Sequence, residues 1–137
     1  MEQSTSFTEK LTAMGFRKCG EWRLVDDKLK CLLTVSAAAP NVLYAFVSES
    51  TVLYVGKTVR SLKKRMYGYQ KPGPTQPTNI KGNKFIHEAL AGGKVVDVHA
   101  LPDNGLLYYG GFHVNLPAGL EDSLIANLKP KWNKAGI

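Results

Sequence analysis

The sequence predicts an α+β fold: a small mixed or antiparallel β-sheet flanked by helices, with an N-terminal helix and β-hairpin as an extension. Three observations predict it. Two apolar runs rich in β-branched and aromatic residues, 42–47 and 52–55, flank the turn-like stretch 48–51, the pattern of a hairpin. Directly afterwards the apolar period lengthens to that of a helix. Val59, Leu62, Met66 and Tyr69 share one face, while Arg60, Lys63, Lys64 and Tyr67 lie on the other. A second helical segment, a strand and a last helix then follow in that order.

Taken from the start, Ser6 stands three residues before Glu9, the spacing of a capping box, and the helix it opens runs to about Met14 and stops at Gly15. Residues 21–25 and 28–35 alternate around Asp26 and Asp27, which predicts a β-hairpin. The small residues of 36–40, with Pro40 disfavouring helix at Ala39, form a joint between an extension, 1–39, and a main unit, 40–137. After the 42–55 hairpin, the helix beginning at Val59 ends at Gly68 and the Pro72–Pro74 cluster. Residues 70–81 read as a polar, proline-dense loop. Residues 84–91 form a helix with Phe85, Ile86 and Leu90 inward, stopped by Gly92 and Gly93, and 95–101 form a strand. The glycine-rich stretch 102–116 carries no predicted element. The last helix starts near Pro117, a residue suited to a first turn, and ends near Leu128 before Pro130.

A chain of 137 residues is large enough to bury a core in a single domain without disulfides or metal. It has no apolar run of the ~20 residues needed to span a bilayer. The first fifteen residues lack the basic start and apolar stretch of a signal peptide. Cys19 and Cys31 are not cross-strand partners in the predicted hairpin and read as two reduced thiols of a cytoplasmic protein. The net charge of +7 is unevenly spread. Between Ser50 and His87 there is no acid, but there are Lys57, Arg60, Lys63, Lys64, Arg65, Lys71, Lys81 and Lys84, interleaved with Tyr54, Tyr67 and Tyr69. A block of one sign with aromatics between its charges points to a polyanion, nucleic acid before others.

Several simple chemistries are excluded. Gly56-Lys57-Thr58 resembles the end of a phosphate-binding loop, but Thr51 stands where that loop needs a glycine. His87, His99 and His113 have no metal-ligand spacing and no cysteine partners. The last helix is more informative. At ~100° per residue, Leu120, Leu124, Ile125 and Leu128 define its apolar face, and Glu121 falls inside that arc while Asp122 points away. A carboxylate there is costly unless something meets it: a base in a salt bridge, or a divalent cation, or a reacting group in a cleft. Tyr44 and Tyr54 fall on paired strands, where tyrosine most often simply packs. Arg65 and Tyr69, four apart, share one side of the basic helix. Two phenols, an arginine and a carboxylate make a workable kit for phosphodiester chemistry: a base for the nucleophile, a cation for phosphorane charge, a metal for the leaving oxygen.

These residues resemble the GIY-YIG nuclease family. Val42-Leu43-Tyr44 is similar to its first half-motif and Tyr54-Val55-Gly56 to its second; Gly56-Lys57-Thr58, Leu62 and Arg65 resemble the continuation. Glu121 with Leu124 and Ile125, then Pro130, Trp132 and Asn133, resemble its glutamate segment and closing asparagine. The resemblance spans about residues 41–133. It implies Tyr44 beside the attacking water as general base or its assistant, Tyr54 hydrogen-bonded to water or phosphate, and Arg65 stabilising transition-state charge. It further implies Glu121 holding one Mg²⁺ or Mn²⁺ at the leaving 3′ oxygen. Tyr69 stands where many members have histidine, and Val42 replaces the motif's first glycine. Gly56 and Asn133 would support the site. Lys57, Lys71 and Lys84 would contact phosphates, Arg60, Lys63 and Lys64 would be phosphate contacts or plain solvated charge, and Gln76 and Asn79 would reach base edges or phosphates unless 70–81 is a plain connector. The expectation is a metal-dependent DNA endonuclease of restriction, defence or mobile-element type, monomeric or homodimeric, with RNA an open substrate. The alternatives are a non-catalytic nucleic-acid-binding module and a domain whose basic helix binds an acidic protein. The extension 1–39 would be a specificity module, a dimerisation element or an extension of the sheet.

Overall fold

The computed structural model describes residues 9–103 and 105–136. Ser6, the expected cap of the first helix, lies outside them. Helix α1 is described over 9–14 and stops at Gly15, whose φ of 114° suits glycine alone. Strands β1 (Arg17–Val25) and β2 (Lys28–Leu33) form the first hairpin. Val25 pairs with Lys28, so the loop is Asp26 and Asp27, both at positive φ (53° and 64°) as a primed turn requires. Cys31 pairs with Trp22 while Cys19 sits at a register shift, so the two thiols are not opposite one another and both are free.

Strands β3 (Val42–Ser48) and β4 (Thr51–Thr58) form the second hairpin. β4 continues past residue 55, so Gly56, Lys57 and Thr58 are strand residues rather than a helix entrance. Val59 is accordingly not on a helix face; it is 77% exposed, in a turn. Helix α2 (Leu62–Gln70) begins only after Ser61, whose hydroxyl accepts the Lys64 N–H. The Leu62 and Lys63 amides donate to the Ala39 and Ala37 carbonyls, so the 36–40 joint caps the same helix. Gly68 lies inside α2 and does not end it.

Helix α3 runs Pro77–Ala91, much longer than the expected 84–91. Pro77 occupies its first turn, where the missing N–H costs nothing, so that proline starts a helix instead of marking a loop. Strand β5 (Asp97–Pro102) is followed by a small hairpin within 102–116, β6 (Tyr108–Tyr109) and β7 (Phe112–His113). Gly110 and Gly111 turn it with positive φ, a two-glycine hairpin signal that the composition of the stretch hides. Helix α4 (Leu116–Leu128) is capped by Asn115, which accepts from the Ala118 N–H, and a short α5 (Lys131–Lys134) follows Pro130.

The sheet runs β2-β1-β5-β3-β4 with every pairing antiparallel. The N-terminal hairpin joins it through β1 and β5. Alternation along β3 divides the core in two. Val42, Tyr44 and Phe46 face α2 and α3, together with Tyr54, Leu62, Met66, Tyr69 and Ile86. Leu43, Ala45 and Val47 face the other way, where Leu11, Phe16 and the apolar side of α4 cover them. β2 and β4 are the edge strands, and the C-terminal end of β4 lies beside residues of α2 and α4. No helix among the described residues is long and apolar enough to cross a membrane.

Candidate active site

Arg65 is the centre of the polar structure on the α2/α3 face. Its Nε donates to the Tyr44 hydroxyl (3.0 Å), Nη2 to the Tyr69 hydroxyl (2.8 Å) and Nη1 to Asn79 Oδ1 (2.7 Å). The two hydroxyls also bond each other at 2.7 Å, and both tyrosines are 0% exposed. Each polar atom of the cluster has a partner, which is what burial of phenols demands. Burial pushes the Tyr44 phenol above its ordinary pKa, Tyr54 adds to the shift and Arg65 opposes it. Tyr69 is raised by burial and by both neighbouring phenols. These phenols are therefore neutral hydrogen-bonding groups at any physiological pH. Tyr54 packs against the Tyr44 ring, centroids 6.1 Å apart.

Glycines make the cluster possible. A Cβ on Gly56 would stand 2.7 Å from the Tyr44 hydroxyl and 2.8 Å from Tyr54 Cε2; one on Gly82 would stand 2.5 Å from Tyr69 Cδ1. β4 and α3 thus close on the two rings only because neither carries a side chain there. Gly82 is a packing position that sequence reasoning missed, because it falls between the loop read at 70–81 and the helix read at 84–91. Asn133 braces the edge strand: its Nδ2 donates to the Val55 carbonyl (3.0 Å) and its Oδ1 accepts the Val55 N–H (2.9 Å).

Arg65 opens onto a groove of about 500 Å³ at the end of β4, lined by Lys57, Arg60, Lys64, Gln76 and Asn79 among others, with no acid among the described residues. Its far wall is Asn115 and Ala118 at the start of α4. Asn41, also unforeseen, closes one end by donating to Asp103 Oδ2 and Asn115 Oδ1. Glu121 lies on α4 one turn past Ala118, on the half-buried side as its helical phase predicts. Of the partners considered for this carboxylate, the salt bridge is not formed: among the described residues Glu121 has no ion-pair partner within 4.0 Å. Burial raises its carboxyl pKa, Lys57 opposes that rise and Asp122 adds to it. Glu121 and Lys57 therefore sense each other across the α4 side of β4.

No group of three His, Cys, Asp or Glu is placed to hold a metal among the described residues. A carboxylate one α4 turn from the cationic groove still fits Mg²⁺, which keeps several waters and binds through one or two carboxylates plus substrate phosphates. Of the expected nucleic-acid contacts, Lys57, Arg60, Lys64, Gln76 and Asn79 line the groove. Asn79 is committed to Arg65 and donates to Gln76, so it holds the site instead of standing free to read bases. Lys63 lies across α2, Lys71 sits beside Lys28 and His87, and Lys84 is exposed on α3.

No family model matches the sequence, and no curated protein matches it. Solved structures share its fold, and two of them are endonucleases. One is a mutant of bacteriophage T4 EndoII, with a TM-score of 0.72 and 24% identity over 93% of this chain and 98% of that one. The other is the restriction endonuclease HPY188I in complex with product DNA, with a TM-score of 0.53 and 15% identity over 88% of this chain and 80% of that one. At these identities the likeness is one of fold: an α+β sheet flanked by helices, shared with endonucleases.

Proposed function

We propose that the protein is a metal-dependent endonuclease of GIY-YIG type that hydrolyses DNA phosphodiester bonds. The observation that carries it is Arg65, locked by two buried phenols and Asn79 at a cationic groove, one α4 turn from Glu121, which has no ion-pair partner among the described residues. Three of the guanidinium's five N–H donors are engaged, which leaves one on each Nη. That pair is the fork that grips two phosphate oxygens, so Arg65 meets the scissile phosphate already oriented. Lys57, Arg60 and Lys64 hold neighbouring phosphates. Water attacks phosphorus and loses a proton to solvent, the P–O3′ bond breaks, the leaving 3′ oxygen takes up a proton from solvent to become a hydroxyl, and Arg65 stabilises the charge gathered on the non-bridging oxygens. Glu121 would hold a divalent cation, Mg²⁺ or Mn²⁺, which when bound supplies Lewis-acid stabilisation of the leaving 3′ oxygen.

The phenols have a more limited part than the resemblance implies. In the closed arrangement the Tyr44 hydroxyl orients Arg65, and a buried neutral phenol is a weak base. Its contact with the attacking water requires the Tyr44–Tyr69 pair to part; Tyr54, at 6% exposure, is the phenol nearer to solvent. The sealed Tyr44 also favours a second reading, a nucleic-acid-binding module on this fold that does not cleave. Plasmid nicking with Mg²⁺ or Mn²⁺, beside EDTA, separates the two. The wild type nicks only with metal, and Arg65→Ala and Glu121→Ala do not; wild-type nicking by Glu121→Ala refutes the mechanism. One such site cuts one strand per visit, so a double-strand cut implies a homodimer or two visits.

A further inference from the structure

On the other side of α2 lies a larger groove, about 980 Å³, that the cleavage chemistry does not use. Its floor is apolar, Leu33, Ala37, Ala38 and Met66, and its rim carries Lys30, Arg60, Lys63 and Lys64 with no acid among the described residues. Arg60 and Lys64 border both grooves. At ~100° per residue, Arg65 and Gly68 look into the first groove, Lys63 and Tyr67 into the second, and Lys64 stands on the crest between them. Tyr67 is 55% exposed, and no aromatic ring packs on it among the described residues. We infer that this second groove seats the DNA strand flanking the cut, with one unpaired base stacked on Tyr67 and its phosphates on Lys30 and Lys63.

Charge complementarity selects the occupant: four cations without an acid fit a polyanion, and an apolar floor beside an open aromatic face fits a base. A paired duplex offers only backbone at that depth and leaves the floor unfilled. Two other occupants are poorly served. The N–H groups at the start of α2 donate to Ala37, Ala39 and Ser61, so a free phosphate finds no helix-terminus donors there. The outward N–H of Cys31, central in edge strand β2, is taken by Gln70 Oε1 (3.2 Å), which blocks strand addition by a peptide.

The inference rests on the nucleic-acid part of the proposed function and is independent of cleavage. Its test is equilibrium binding in EDTA, by fluorescence anisotropy, of a DNA duplex with a single-stranded overhang carrying 2-aminopurine. Tyr67→Ala and Tyr67→Leu bind about ten-fold more weakly, within the range of one lost base stack. Tyr67→Phe binds as the wild type, and its 2-aminopurine emission is quenched as in the wild type. Lys30→Gln lowers the slope of log affinity against log salt by about 0.7–0.9. Matching melting curves show that these exposed substitutions leave the fold intact. Wild-type affinity and quenching in Tyr67→Ala overturn the inference while leaving the nuclease reading in place. Tyr67-dependent binding by a protein that nicks nothing upholds the inference and refutes cleavage. A wild type that binds no DNA refutes both.

Discussion

On the α2/α3 face of the sheet Arg65 is fixed by three hydrogen bonds to Tyr44, Tyr69 and Asn79, and its hydroxyl partners also bond each other. On the α4 face Glu121 is half-buried with no ion-pair partner among the described residues, and burial raises its pKa. The cationic half of the site is satisfied by the protein itself and contributes to its stability. The anionic half is left short of a partner, which is what a group awaiting a ligand looks like. The two halves should therefore separate under mutation: one couples cleavage to stability, the other sets cleavage against it.

The largest effect is expected at Glu121. In the proposed mechanism Glu121 holds the divalent ion, and losing that carboxylate forfeits several kcal/mol of transition-state stabilisation, so Glu121→Gln lowers the nicking rate by about 10³-fold or more. The same protein melts no lower than the wild type in calorimetry, because a neutral amide escapes the cost of burying charge. Arg65→Ala comes next: about 10²–10³-fold in rate. It also costs about 1–3 kcal/mol in urea denaturation, because Tyr44 and Tyr69 lose a donor in a sealed site. A fall in rate without a fall in stability would break the contrast drawn here.

Gly82→Ala tests the packing beneath that network. Its Cβ falls 2.5 Å from the Tyr69 ring, so overpacking costs about 1–3 kcal/mol by denaturation, and cleavage falls as Tyr69 and Arg65 shift. The smallest effects are in pH. The folded-state pKa of Glu121 is raised, so its relative stabilisation is present in acid and lost as pH rises through the raised value. Metal-dependent cleavage moves the opposite way, declining on acidification at a higher pH than an unshifted glutamate would give. The Tyr44 and Tyr69 phenols are raised as well. Their contribution to stability is present below the ordinary phenol value near ~10 and lost as pH rises beyond it. Tyr69→Phe reduces that alkaline loss in a pH series of thermal melts.

Much of the fold is legible in the sequence because the signals are local. Asp26 and Asp27 mark the first turn, the alternation of 42–47 marks a strand, and the phase of Glu121 against Leu120, Leu124 and Ile125 places it correctly on α4. Pro77 misleads because one residue type both breaks a helix and opens one. Val59 misleads because its spacing matches the helix face while the Ser61 cap starts the helix after it. Tyr44, Arg65 and Tyr69 are identifiable from residue type and order, but their mutual bonds are not. The Tyr44–Tyr69 contact joins residues 25 apart and depends on how closely α2 and α3 approach the sheet, which Gly56 and Gly82 decide. That closeness also buries the Tyr44 hydroxyl and bonds it to Arg65.

The most direct test of the two-sided site is supercoiled-plasmid nicking at fixed Mg²⁺, run with melting curves on the same preparations of wild type, Arg65→Ala and Glu121→Gln. Both variants should lose nicking, with only Arg65→Ala melting lower. Nicking at the wild-type rate by Glu121→Gln would contradict the account.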